Sequence, residues 1–209
     1  MATELERLFI QAFPELDPTG QKQAIQLYKL LADGKAVSIK TLAEHISLSE
    51  KETHELLQSW TGVSFNEDHL INGFWGVSTD ETSHSFRLGE TTLYTWCAWD
   101  LLFMPVIYQQ TISATTSCPI THTEISLTIY ESGAIKVTPD TAMITFIKPD
   151  LAELKANVTG SFCQYIFFVD SEETGQQWQK NHDNGFLLKL DQGFTLGKNI
   201  IQKIFKDLQ

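Results

Sequence analysis

Cys97 and Asp100 carry the strongest chemical signal in this chain. They stand three positions apart in Leu93-Tyr94-Thr95-Trp96-Cys97-Ala98-Trp99-Asp100. If the second half of that stretch is helical, thiol and carboxyl share one face. Trp96, Trp99, Phe103 and Met104 hem the pair in and would exclude water. Burial raises the proton affinity of a carboxyl, and a nearby thiolate raises it further, so Asp100 can hold a proton near neutral pH. The chemistry this suggests is proton transfer beside a thiol. Packing is the competing reading, because free cysteine is among the most buried residue types and often only fills space. Packing leaves Asp100 unexplained: an unpartnered carboxyl in an apolar run is costly unless it has a partner or a task. The aromatic collar of Trp96, Trp99 and Phe103 has the same two readings, wall of a substrate site or plain core, and core is favoured for most of it.

The other reactive side chains form no pattern by themselves. Cys97, Cys118 and Cys163 are widely spaced and odd in number, which argues for free thiols in a reducing compartment and against a disulfide framework. No Cys-x-x-Cys spacing signals a closed zinc site. The six histidines are scattered; His45, His54 and His69 are most simply solvated. No glycine-rich phosphate loop is present, so neither a resident metal nor an organic cofactor is expected.

The elements that must position these residues change character near residue 80. Before it, Leu5, Leu8, Phe9 and Phe13 repeat at helical spacing, as do Ala24, Leu27, Leu30 and Leu31. Pro14 and Asp17-Pro18-Thr19-Gly20 separate the two helices. Further helices are expected over 38–46 and 49–60, the second opened by a capping box of Ser49 and Glu52. A hairpin of 63–65 and 70–77 around Asn66-Glu67-Asp68 completes a winged-helix pattern. After residue 80, strands are expected at 125–130 and 135–137 around Glu131-Ser132-Gly133, at 165–169 and at 186–190. Helices are expected at 171–181 and at the C-terminus, with Ile200, Ile201, Ile204, Phe205 and Leu208 on the apolar face. The expected architecture is α+β: a winged-helix-like scaffold over residues 1–80, then a mixed catalytic module with antiparallel strands over 81–209.

Charge narrows the partners. The net charge of −11 repels phosphate backbones and anionic lipid, so nucleic acid and membrane surfaces are not expected partners. In the would-be recognition helix, Lys51 stands against Glu50, Glu52 and Glu55, where a major-groove reader needs Lys, Arg, Asn or Gln. A metal-responsive DNA-binding regulator is therefore disfavoured. The first residues, MATELERLFIQAF, have no basic stretch followed by an apolar one, and no apolar run approaches the roughly 20 residues of a membrane span. A soluble, cytoplasmic protein is expected.

The segment at 93–100 closely resembles the signature of the organomercurial (alkylmercury) lyase family. The resemblance continues through Phe103-Met104-Pro105, Ser117-Cys118 and Ser126-Leu127-Thr128. It resumes at Ser161-Phe162-Cys163 with Phe167-Phe168, at Trp178, and at Gly193-Phe194-Thr195-Leu196-Gly197. It implies that Cys97 and Cys163 are the two essential cysteines, that Asp100 is the essential carboxylate and that Cys118 is structural. Gln164 departs from the family, in which a further cysteine often follows the position of Cys163; that thiol is not among the family's catalytic residues.

The implied activity suits these residue types. Mercury(II) is very soft and thiolate is the softest ligand a protein offers. Two thiolates on the mercury of an organomercurial raise electron density on the attached carbon, and a positioned acid can then protonate it. A thiol must lose its proton to bind metal, and Asp100 can collect that proton and pass it to carbon. The resemblance implies an organomercurial substrate, and either low-molecular-weight thiols or a mercuric reductase as acceptor of the Hg(II). A non-catalytic mercury- or copper-binding protein of the same fold is the alternative; sulfur alone would satisfy it, leaving Asp100 without a task.

Overall fold

A computed structural model describes residues 2–206, so Leu208 of the expected C-terminal apolar face lies outside it. The chain opens with four helices: α1 (Ala2–Ala12), α2 (Pro18–Leu31), α3 (Ile39–Ile46) and α4 (Glu50–Ser59). The apolar stripe of α1 is buried at Leu5, Leu8 and Phe9, with Phe13 just beyond it. The start of α2 follows from local chemistry. Asp17 caps it by accepting the Gly20 N–H at 2.7 Å, and Pro18 occupies the first turn, where its missing N–H costs nothing. The expected capping box opens α4: Ser49 Oγ accepts the Glu52 N–H, and Glu52 Oε2 accepts the Ser49 N–H. Lys51 on this helix is paired with Glu55.

Strands β1 (Val63–Phe65), β2 (Ile71–Phe74), β3 (Val77–Ser78), β4 (Ser85–Leu88) and β5 (Thr91–Thr95) lead into helix α5 (Ala98–Tyr108). After it come β6 (Ile112–Ser117), β7 (Glu124–Ile129) and β8 (Ile135–Thr138). These strands form one sheet in the order β1-β2-β3-β5-β4-β6-β7-β8, with antiparallel pairing throughout. The expected single strand over 70–77 is two strands, broken at Trp75 and Gly76, whose φ values of 29° and 96° no strand accommodates. The hairpin around Glu131-Ser132-Gly133 forms as expected, with Ile129 opposite Ile135 and Gly133 at φ 95°.

The remainder is β9 (Met143–Ile147), α6 (Leu151–Ser161), β10 (Phe168–Val169), α7 (Glu172–Gln179), β11 (Gly185–Lys189) and α8 (Leu190–Ile204). A second antiparallel sheet has the order β10-β9-β11. The strand expected over 165–169 shrinks to β10, because Cys163–Tyr165 forms a 3-10 turn. Helix α6 was not anticipated, and it is interrupted at Asn157 (φ −163°, ψ 84°). The whole is mixed α+β with antiparallel sheets. Its most apolar helix, α5, lies against α8. The close approach depends on Gly197, where a Cβ would come within 2.8 Å of Phe103, and Trp99 Nε1 donates to the Gly193 carbonyl at 2.9 Å. No helix among the described residues is long and apolar enough to cross a membrane.

Candidate active site

Cys97 sits where β5 ends and α5 begins. Its backbone is extended (φ −150°, ψ 173°), and it is the N-cap of the helix, with Asp100 at the third helical position. The two residues are therefore not stacked on one helical face. A cap and the third helical residue are nevertheless neighbours, because the first turn folds back over the cap. Asp100 Oδ2 accepts the Cys97 N–H at 2.8 Å, which brings carboxyl and thiol together. The Thr95 hydroxyl donates to the Cys97 carbonyl at 2.9 Å and fixes the approach from the strand.

Cys163 arrives from the connection between α6 and β10. It opens the 3-10 turn after α6, behind Phe162, which is buried against Phe9, Phe146 and Trp99. Thr145 on β9 anchors the segment. Its hydroxyl donates to the Tyr165 carbonyl at 2.8 Å, and its Oγ1 accepts the Phe167 N–H at 2.8 Å. The Ile166 carbonyl accepts the Ala98 N–H, tying this loop to the first residue of α5. As a result the Cys97 and Cys163 sulfurs and an Asp100 carboxylate oxygen all lie within 4.8 Å of one another. All three residues are buried, at 0%, 4% and 6% exposure. No other group of three or more His, Cys, Asp or Glu suited to a metal ion occurs among the described residues.

Burial sets the proton affinities. It pushes the Asp100 carboxyl up to about 7 against hydrogen bonds from the Cys97 N–H and thiol and the Trp96 N–H, which favour the anion. The Cys97 thiol is raised well above its ordinary value, first by burial, then by its hydrogen bond with Cys163 and by the Asp100 charge. The hydrogen bond with Cys97 pulls Cys163 down, but burial and the Asp100 charge outweigh it and leave that thiol raised as well. The site thus holds its thiols protonated and its carboxyl near the midpoint of titration at neutral pH. A soft cation arriving here displaces thiol protons, and a carboxylate stands within reach to take one.

The surrounding cavity is apolar, and its walls come from distant parts of the chain. Phe9 and Phe13 reach it from the region of α1, Trp75 and Gly76 from the turn between β2 and β3, and Trp96 and Phe103 from either side of Cys97. Its free space is about 30 Å³, room for roughly two waters. Of the aromatic collar, Trp99 and Phe103 are buried and Trp96 is half-buried. Phe9, Phe13, Trp75 and Gly76 were not singled out as site residues; the periodicity of Phe9 and Phe13 signals burial and nothing more specific. Cys118 is buried beyond the end of β6, where its N–H donates to the Thr123 carbonyl, outside the three-residue cluster. His45, His54 and His69 are exposed, as expected.

Comparison with known proteins agrees with this geometry. The family model described as Alkylmercury lyase matches residues 77–202, which include all three cysteines and Asp100. The chain is 29% identical to the alkylmercury lyase of Staphylococcus epidermidis over 83% of this chain and 79% of that protein. It is 28% identical to the alkylmercury lyase of Pseudomonas putida over 88% of this chain and 84% of that one. A solved structure, the mercury-bound form of MerB2, shares the fold with a TM-score of 0.79 at 23% identity, covering 97% of this chain and 99% of that chain. A family match across most of the chain, centred on the residues that the fold gathers into one buried cluster, means that this protein belongs to the alkylmercury lyase family.

Proposed function

We propose that the protein splits the carbon–mercury bond of alkyl- and arylmercury compounds, giving a hydrocarbon and Hg(II). The observation that carries this reading is a carboxyl able to hold a proton at neutral pH, within 4.8 Å of two thiols beside an apolar cavity. The organomercurial arrives as its adduct with a small thiol. Cys97 binds mercury, its proton passes to the Asp100 carboxylate, and the external group leaves as thiolate. Cys163 then adds its sulfur, and its proton goes to the departing thiolate, which is released as free thiol. With two thiolates on mercury the attached carbon is basic enough to take the Asp100 proton. The C–Hg electron pair becomes the new C–H bond, and Hg(II) stays between the sulfurs. Mercury here is substrate and product; the reaction uses no organic cofactor and no resident metal. Two external thiols, or the thiols of a mercuric reductase, then remove the ion, which suits a reducing, cytoplasmic setting.

We also read residues 1–80 as a winged-helix-like scaffold and 81–209 as the catalytic module. In support, the family match begins at residue 77.

Purified protein with excess small thiol is expected to release benzene from phenylmercury well above a thiol-only control, as measured by gas chromatography. No benzene above that control would sink the reading, and stoichiometric Hg(II) retention by such an inactive protein would favour the binding-protein alternative.

A further inference from the structure

The turn between β2 and β3 presses on the active carboxyl from outside the segment that carries it. Gly76 is buried and has φ 96°. A Cβ there would lie 2.9 Å from Asp100 Oδ1 and 3.0 Å from its Cγ. Such contacts are too short to exist, so only glycine leaves the carboxyl where it is. The Gly76 carbonyl accepts the N–H of Trp96, the residue before Cys97, at 3.1 Å. The turn thus touches the Asp100 carboxyl and is hydrogen-bonded to the backbone just before Cys97.

The turn itself is held under strain. Trp75 has φ 29°, a conformation costly for any residue with a Cβ, which persists only where surroundings over-determine it. Three hydrogen bonds do so. The Trp75 N–H donates to the Gly62 carbonyl at 3.1 Å, its Nε1 donates to the Thr61 carbonyl at 2.9 Å, and its own carbonyl accepts the Tyr28 hydroxyl at 3.1 Å. Burial keeps the Tyr28 phenol well above its ordinary range, so the hydroxyl remains a donor. The two carboxyl oxygens are also unequal. Oδ2 accepts the Cys97 N–H, and Oδ1 is the oxygen that lies against Gly76.

We propose that the Trp75–Gly76 turn positions the Asp100 carboxyl for proton transfer, with Gly76 leaving Oδ1 open toward the mercury-bound carbon and Tyr28 holding the turn in place. This rests on the proposed lyase reaction. It gives residues 28, 75 and 76 a part in the chemistry, although none of them binds mercury.

The test is a double-mutant cycle on phenylmercury turnover, using wild type, Gly76→Ala, Tyr28→Phe, Asp100→Ala and the two combinations with Asp100→Ala. Gly76→Ala is expected to lower kcat about a hundredfold, the scale of a misplacement near 1 Å. Tyr28→Phe is expected to lower it about fivefold, the scale of one lost hydrogen bond. Both should leave KM within about threefold of wild type and Hg(II) stoichiometry unchanged, since the thiols are untouched. In the Asp100→Ala background neither substitution should lower the residual rate further. If Gly76→Ala does not fold, Tyr28→Phe decides in the same cycle. Wild-type kcat in the deciding variant, or an equal loss with and without Asp100, overturns the proposal. A wild-type chain that releases no benzene removes the lyase reading and the proposal with it; an active wild type with an uncoupled variant removes the proposal alone.

Discussion

Asp100→Asn is expected to release benzene from phenylmercury about 10²- to 10⁴-fold more slowly than the wild type, the usual worth of a positioned general acid, while still capturing mercury. The amide oxygen can accept the Cys97 N–H as the carboxylate does, so the helix start and the thiol geometry persist. What disappears is the group that, in the proposed reaction, takes a thiol proton and gives it to carbon. Single-turnover assays should show organomercurial bound at one per chain with hydrocarbon release stalled. Near wild-type turnover would remove Asp100 from the reaction. The same substitution bears on stability. The folded carboxyl titrates at about 7 against an ordinary 3.8. Below about pH 4 both folded and unfolded states hold the proton and nothing is lost. Between about 4 and 7 the unfolded chain gives its proton up while the folded chain keeps it, so stability falls with rising pH by about 1.4 kcal/mol per unit. Asparagine has no such dependence. Asp100→Asn should therefore be more stable than wild type at pH 7 by a few kcal/mol, with the advantage fading toward pH 4. Denaturant titrations at pH 4.5 and 7 measure this, and parallel pH slopes in the two proteins would contradict it. If the proposed role of Asp100 holds, this result would show an acid kept at a cost to the fold, a common relation between activity and stability.

Cys97→Ser and Cys163→Ser should each lower turnover by at least about a thousandfold, and the double variant should be no worse than either single one, as for residues that act as a unit. A hydroxyl is a hard, weakly acidic ligand and a poor exchange for thiolate on mercury. With one sulfur on mercury the carbon is not made basic enough to take a proton at the required rate. Folding should tell the opposite story for Cys97→Ser. Position 97 is an N-cap, where serine is preferred because its oxygen accepts a free N–H of the first turn. Its melting temperature should therefore stay within a few degrees of wild type. Turnover above about a tenth of wild type in either single variant would show that two sulfurs are not required.

Local interactions made much of this protein legible. The Ser49–Glu52 capping box, the Asp17-Pro18 helix start and the tight turn at Gly133 each depend on groups within a few residues of one another, so residue order alone encodes them. The pairing of Cys97 with Asp100 was legible for the same reason, although as an N-cap and its third helical residue and not as two members of one face. The acidic character of the front helices was likewise plain from composition. Tertiary structure decided the rest. Cys163 is 66 positions from Cys97, and it reaches the site only because Thr145 on β9 holds residues 165 and 167 and Ile166 meets Ala98. The break at Trp75–Gly76, inside an apolar run that reads as one strand, follows from contacts with Tyr28, Thr61 and Gly62. The walls formed by Phe9 and Phe13 read as ordinary helical burial until α1 is placed over the site. Such contacts join parts of the chain whose closure entropy only the assembled core repays, so no window of sequence contains them. The sequence by itself determined which groups could do the chemistry; the packed fold decided that a second thiol, a buried carboxyl and a strained turn meet at one apolar cavity.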